Sequence, residues 1–174
     1  STQKVRTLDD GAKPALDAQL SPDGSRVAFV RDYDLYVREL KNGKETRLTQ
    51  GGSEALQHGL PEFIAQEEMG RYQGFWFSPD GKTLAYEEAD HREVERFTIS
   101  DPAQPEAGAT GFYYPRPGKN NVRVRLGLMP ATGGTTTWVR WDTAKYPYLL
   151  RVEWPKTKPV QAPLTLIVQT RDQR

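Results

Sequence analysis

The chain has 174 residues, and its 24 Lys and Arg residues nearly balance its 23 Asp and Glu residues. This balance provides no bulk electrostatic field for nucleic acid or for an anionic membrane surface. Cysteine is absent, which excludes disulfides, cysteine–zinc sites and thiol catalysis, and two histidines are too few for a multi-histidine metal site. We therefore expect no metal, no cofactor and no nucleic-acid partner.

Both ends of the sequence indicate a piece of a larger protein. The chain starts at Ser1 rather than at Met, and an apolar run at residues 164–168 is followed at once by the polar residues 171–174. A strand that enters a turn without the strand after it leaves an unpaired edge, which is a poor natural endpoint. The apolar fraction, 36%, is also low for a self-sufficient globule of this size.

The first predicted elements are four short strands at residues 16–20, 26–31, 34–40 and 45–49. Ser-Pro-Asp-Gly at residues 21–24 separates the first two, and each of its residues favours a tight turn. Asn42 and Gly43, a strong hairpin signal, separate the last two. Four antiparallel strands joined by polar turns are typical of one blade of a β-propeller.

A second copy of this pattern follows, because residues 76–86 repeat the apolar–Ser-Pro-Asp-Gly–apolar pattern of residues 19–29. Ser21 and Ser78 lie 57 residues apart, whereas a blade repeats about every 40–45 residues. An insertion is therefore expected before the first strand of the second blade. Residues 61–70, with Pro near the start and Gly at the end, are predicted to form it as a short helix.

The remaining segments complete the second blade and begin a third. The Pro- and Gly-rich residues 101–121 predict a long loop, after which strands resume at 122–128 and 136–141. A degenerate third copy starts at residues 148–155 and continues into 164–168. The fold class is therefore all-β, a partial β-propeller of about two and a half four-stranded blades with a short helical insertion. The four tryptophans are expected to pack between blades: Trp76, Trp138, Trp141 and Trp154.

Glu67 and Glu68 are the candidate binding residues. Both are predicted in the last turn of the short helix, where the helix dipole disfavours anions, and side chains at adjacent positions splay by about 100°. A shared cation would relieve their repulsion, and an ammonium group with three donors fits that role. The functional interpretation is a clamp for a peptide amino terminus or a lysine. From local chemistry alone, a solvated acidic helix end neutralised by Arg71 is favoured.

Other catalytic signals are weak. No Gly-X-Ser-X-Gly nucleophile elbow is present in the sequence. Residues 51–55, with His58 just after them, come nearest, but no amphipathic helix follows, so we interpret them as a loop between blades. His91 lies in the charged run 87–93, which lacks metal-ligand periodicity and is expected to be a solvated strand end.

Nearly the whole chain resembles the propeller domain of the dipeptidyl peptidase IV family in its bacterial form. The resemblance is carried by the double Glu in residues 60–69, by residues 74–86 with the Ser-Pro-Asp-Gly turn, and by residues 114–124 and 164–173. The Ser-Pro-Asp-Gly turn is common to many propellers. The double Glu on a helical insertion ahead of that turn is the specific feature.

The resemblance implies a serine exopeptidase that removes dipeptides with Pro or Ala in second place from free amino termini. In that family the propeller caps an α/β-hydrolase domain with a Ser-Asp-His triad, and the double Glu binds the α-ammonium group of the substrate. That role maps onto Glu67 and Glu68 and reverses the preference for a solvated helix end. Residues 1–174 would then be a fragment of the propeller without the hydrolase domain, and inactive alone.

The resemblance also implies partners and leaves alternatives. Expected partners are peptides with a free amino terminus, the missing blades and hydrolase domain, and a second copy in a homodimer of the parent. A periplasmic or cell-surface location is suggested. An Arg that assists binding in many members lies upstream of the double Glu and has no match here. The alternative is a non-enzymatic TolB-like interaction propeller, and a related endopeptidase is disfavoured because it needs no amine clamp.

Overall fold

The computed structural model describes residues 13–155 and 163–172. Its regular structure is almost entirely antiparallel β. The strands are β1 (Leu16–Leu20), β2 (Arg26–Arg31), β3 (Asp34–Glu39), β4 (Glu45–Arg47), β5 (Leu56–His58), β6 (Phe75–Phe77), β7 (Thr83–Asp90), β8 (Arg96–Ser100), β9 (Ala109–Tyr113), β10 (Arg123–Pro130), β11 (Thr137–Trp138), β12 (Tyr148–Glu153) and β13 (Thr165–Gln169). Helix α1 spans Phe63–Glu67, and a 3-10 turn spans Pro105–Ala107.

The first sheet is the predicted four-stranded blade, in the order β1-β2-β3-β4. Its Ser-Pro-Asp-Gly turn closes with a bond from the Gly24 amide to the Ser21 carbonyl at 2.8 Å, and the Gly81 amide repeats this bond to Ser78 at 2.8 Å. Both glycines have φ of +67°, a left-handed conformation that favours glycine. The two copies therefore fold alike, which confirms the predicted repeat.

The second blade differs from the prediction at its first strand. Its sheet runs β11-β10-β7, and β5 and β6 both pair with the remaining edge of β7. Strand β5 lies along one end of that edge and β6 along the other, so they form one interrupted strand. The insertion therefore lies within the first strand and not before it. Helix α1 belongs to this insertion, as predicted, but has only five residues.

Between β7 and β10 the chain forms a hairpin where a loop was predicted. Strands β8 and β9 pair in register from Arg96 opposite Tyr113 to Ser100 opposite Ala109. The prediction of a long loop over residues 101–121 is wrong for β9. The whole of β8 is exposed, including Phe97 and Ile99, and β9 is at most half-buried, so the hairpin buries little apolar surface.

The core lies between the blades. The side chains of β7 point alternately to the two faces of its sheet. On one face, Leu84 and Tyr86 pack with apolar residues of the first blade. On the other face, Ala85 and Ala89 pack against Leu149 and other apolar residues of the third unit. The tryptophans lie in these two layers, as expected: Trp138 in the first layer, and Trp76, Trp141 and Trp154 in the second.

The third unit is the antiparallel pair β12–β13, in agreement with the predicted half blade. Arg171 and Asp172 form a turn after β13, and the rest of the predicted turn, residues 173–174, lies outside the described residues. The described helices are both too short to cross a membrane.

Candidate functional site

Helix α1 begins at a side-chain cap. Glu62 is extended, with φ of −70° and ψ of 167°, and its carboxylate accepts hydrogen bonds from the amides of Ile64 at 2.7 Å and Ala65 at 2.8 Å. These amides have no partner inside so short a helix, so the cap satisfies them. Since Glu62 and Ala65 are both buried, the start of the helix is fixed to the body of the blade.

The two predicted binding residues lie at the opposite end of this helix. Glu67 is its last residue and Glu68 is its C-cap. Both are exposed, and the last turn contains no basic residue. Among the described residues, neither carboxylate has a hydrogen-bond or ion-pair partner. Two anions at the negative end of a helix, without a counter-charge, form a site that favours a cation.

Arg71 does not neutralise this pair, which corrects the alternative derived from local chemistry. Its side chain is only 8% exposed, and one terminal nitrogen lies 2.6 Å from Oε2 of Glu87, a residue of β7 that is completely buried. The guanidinium also donates to the carbonyls of Leu149 and Gln73. Arg71, the basic residue that follows the end of the helix most closely in the sequence, is thus committed to the interior. Arg151 of β12, which is 63% exposed, lines the neighbouring groove and lies 3.4 Å from Glu153.

The acidic groups beneath the helix are strongly perturbed. Burial, followed by the nearby charge of Glu87, raises the pKa of Glu62 to about 7. Burial also raises the pKa of Glu87, although the charge of Arg71 opposes the shift. A buried carboxylate tolerates its charge only where a cation or backbone amides compensate it, and this cluster supplies both.

A groove of about 890 Å³ lies beside the helix end. One wall is the segment that leaves the helix, from Met69 to Gln73, and the other is β12 with Trp154. Asp17 and Gln19 of β1 and Trp76 of β6 also line it. Strands β1, β6 and β12 belong to the first strands of their blades or units. The acidic pair directly precedes, in sequence, the segment that forms one wall of this groove.

The segment that came nearest to a nucleophile elbow is a turn. The Ser53 amide bonds to the Leu56 carbonyl at 2.8 Å, and the Leu56 amide returns a bond to Ser53, so no helix follows the serine. His58 is buried between two carboxylates, with Nδ1 2.9 Å from Asp34 and Nε2 3.3 Å from Glu88. Neither ring nitrogen faces a serine.

His91 was expected to be solvated, and this is wrong. It is 6% exposed and lies against the ring of Tyr113, with centroids 5.7 Å apart. Burial lowers its pKa, which favours the neutral form. The described residues contain no group of three or more His, Asp or Glu side chains placed to hold a metal ion.

Sequence reasoning missed the buried polar centres. Asp34 is completely buried and is bound by Arg47 at 2.5 Å, Thr49 at 2.6 Å, the Gly52 amide at 2.9 Å and His58. The only sequence feature that indicated buried charged groups was indirect: Glu87 and Glu88 interrupt the apolar residues of β7. Their partners are distant in the sequence, so no local pattern reveals them.

The fold and the site together define part of a β-propeller whose second blade carries an insertion with a short helix, and this helix ends in two exposed carboxylates. The family model for the dipeptidyl peptidase IV N-terminal region matches residues 1–174. The chain therefore belongs to the dipeptidyl peptidase IV family, as part of that N-terminal region.

Individual relatives agree with this assignment. The chain is 37% identical over 138 residues to the "Probable dipeptidyl peptidase 4" of Aspergillus flavus, covering 74% of this chain and 17% of that protein. It is 33% identical over 141 residues to the "Probable dipeptidyl-aminopeptidase B" of Penicillium rubens, covering 72% and 16%. The crystal structure of Porphyromonas gingivalis dipeptidyl peptidase 4 matches the fold with a TM-score of 0.82 at 24% identity, over 94% of this chain and 23% of that one. The chain thus spans less than a quarter of each of these proteins.

Proposed function

We propose that this chain is the substrate-gating and amine-binding part of a serine exopeptidase that removes Xaa-Pro or Xaa-Ala dipeptides from peptide amino termini. The observation that carries the proposal is the pair Glu67 and Glu68, exposed at the end of a helix whose last turn contains no basic residue. The family membership supplies the peptidase class, and the names of the relatives supply the dipeptide product.

In the proposed mechanism, the bound amine sets the distance from the amino terminus to the bond that is cleaved. The carboxylates of Glu67 and Glu68 bind the substrate's α-ammonium group through charge-assisted hydrogen bonds. A bound amine holds the chain so that the second peptide bond, and no other, reaches a nucleophile at a fixed distance. The nucleophile and its partners belong to a hydrolase domain that the proposal places outside this chain, so we expect residues 1–174 alone to be inactive.

The proposal also assigns partners. In the described residues, β1 has one unpaired edge and the third unit has only two strands, and the proposal assigns the strands and blades that complete the propeller to the rest of the parent protein. A second copy of the parent is proposed as a further partner. The exposed β8–β9 hairpin, with Phe97 at 41% and Ile99 at 55% exposure, supports such a homodimer.

Product analysis tests this function. We expect the complete protein, incubated with a ten-residue peptide that begins Ala-Pro, to release the dipeptide Ala-Pro and the remaining octapeptide, as measured by mass spectrometry over time. Fragments from internal cleavage would contradict a cleavage site set by the bound amino terminus and would indicate an endopeptidase. An intact peptide would contradict the peptidase and favour the TolB-like interaction propeller.

A further inference from the structure

The insertion that carries the acidic pair has a narrow neck at Glu87. The Gly59 amide donates to the Glu87 carbonyl at 2.8 Å where the chain leaves the sheet, and the Glu87 amide donates to the Gly74 carbonyl at 2.8 Å where it returns. A Cβ atom on Gly74 would lie 2.4 Å from the Gly59 oxygen, so the two sides of the neck are in direct contact. One residue of β7 therefore anchors both ends of the insertion through its backbone.

The Glu87 side chain anchors the insertion a second time. Its Oε1 accepts a hydrogen bond at 3.0 Å from the amide of Glu62, the residue that caps the start of α1. Its Oε2 lies 2.6 Å from Arg71, which follows the end of α1. A single buried carboxylate thus connects the residues on either side of the helix.

Arg71 completes this frame. Its amide donates to the Ala65 carbonyl at 2.8 Å, which turns the chain back after the helix. Its guanidinium donates to Leu149 of β12 at 3.1 and 3.0 Å and to Gln73 at 2.8 Å. The planar guanidinium group of Arg71 therefore connects the helix end to two strands, β7 and β12, that belong to different units.

We infer that Arg71 is a positioning residue for the acidic pair. Glu67 and Glu68 have no partners of their own among the described residues, so their location depends on how the two ends of α1 are held. Arg71 lies three residues after Glu68 and is the only residue that links the helix exit to both Glu87 and β12 in the described structure. This inference rests on the proposed amine clamp. In it, Arg71 holds Glu67 and Glu68 in position and does not itself contact the substrate.

The test is steady-state kinetics of the complete protein with a chromogenic Ala-Pro substrate that has a free amino terminus. We expect Arg71→Met to raise KM at least tenfold while kcat changes less than threefold. Arg71→Lys retains a charge for Glu87 but loses the paired bonds to Leu149, so we expect an intermediate rise in KM, and this milder variant serves if the first one fails to fold. Arg92→Met is the matched control: its guanidinium also lies 2.6 Å from a carboxylate, that of Asp90, but is 66% exposed. It should leave both constants unchanged.

A mutant cycle separates positioning from general packing. In a Glu67→Gln, Glu68→Gln background the clamp is already disabled, so Arg71→Lys or Arg71→Met should lower kcat/KM by less than a further twofold. An equal loss in both backgrounds would overturn the inference, as would an unchanged KM in either Arg71 variant. If the double Gln variant itself has wild-type kinetics, the proposed function fails, and that result is distinct from a failure of Arg71 alone.

Discussion

Replacing Glu67 or Glu68 by Gln lowers kcat/KM for a free-amine dipeptide substrate by at least tenfold in the complete protein, and replacing both lowers it further. Glutamine keeps the size of the side chain but removes the charge. A hydrogen bond to a charged group contributes about 1.5–3 kcal/mol, and tenfold corresponds to about 1.4 kcal/mol. The loss should appear mainly in KM, and initial-rate kinetics at several substrate concentrations measure it.

Protein stability should not change in these variants. Both carboxylates are exposed and lack partners among the described residues, so their removal breaks no contact of the folded state. Glu106→Gln is the matched control, because Glu106 is also an exposed glutamate in a short helical turn, at the tip of the β8–β9 hairpin. Wild-type kinetics in both the Glu67→Gln and the Glu68→Gln variant would refute the clamp.

The largest expected effect on stability comes from Asp34→Asn, which should lower the free energy of unfolding by about 3 kcal/mol or more. The carboxylate has no exposed surface and binds four groups, and an amide in its place presents its own N–H donors to some of theirs. Urea unfolding of the complete protein measures the change. Asp32→Asn is the control two residues away: its carboxylate is 51% exposed and forms a surface ion pair with Lys13, so we expect a change within about 0.5 kcal/mol.

The contacts between Asp34, His58 and Glu88 predict how the destabilisation by Asp34→Asn depends on pH. Burial alone would lower the pKa of His58, but Glu88 and Asp34 outweigh it and raise the pKa above its ordinary 6.5. Burial alone would raise the pKa of Asp34, but Thr49, Arg47 and the remaining partners hold it below 3.8. The His58 contribution is therefore complete below pH 6.5 and declines as pH rises through the raised pKa. The Asp34 contribution is complete above pH 3.8 and declines in acid.

The destabilisation by Asp34→Asn should thus be largest between about pH 4 and 6.5 and smaller on either side, in unfolding curves recorded across this range. A destabilisation that is equal at pH 5.5 and pH 8.5 would contradict a charged His58–Asp34 pair. A destabilisation below about 1 kcal/mol at pH 5.5 would contradict the role of Asp34 as a buried centre.

The blades could be predicted from sequence because their determinants are local. Ser21 and Ser78 begin identical turns, Gly43 takes φ of +75° in its hairpin, and alternation along β7 encodes two packing faces. The β8–β9 hairpin was missed because β9 lies within the Pro- and Gly-rich residues 101–121, whose composition favours a loop, and because the side chains of both strands are exposed or only half-buried.

The candidate site was predictable only in part. The double Glu and its helix end could be read from the order of residues 60–69 and from a family resemblance. The frame beneath the helix could not, because it joins Glu62, Arg71, Glu87 and Leu149 from separate parts of the chain. A buried ion pair depends on tertiary placement, so a sequence shows an Arg and a Glu without showing that they meet.

The most direct test of the account compares two substrates of the complete protein: a chromogenic Ala-Pro compound with a free amino terminus, and the same compound N-acetylated. Acetylation removes the ammonium charge and changes nothing at the scissile bond. We expect cleavage of the free form and a loss of at least a hundredfold in kcat/KM for the acetylated form, since it forfeits both carboxylates at once. Equal cleavage of the two compounds would show that the amine is not recognised and would contradict the clamp at Glu67 and Glu68.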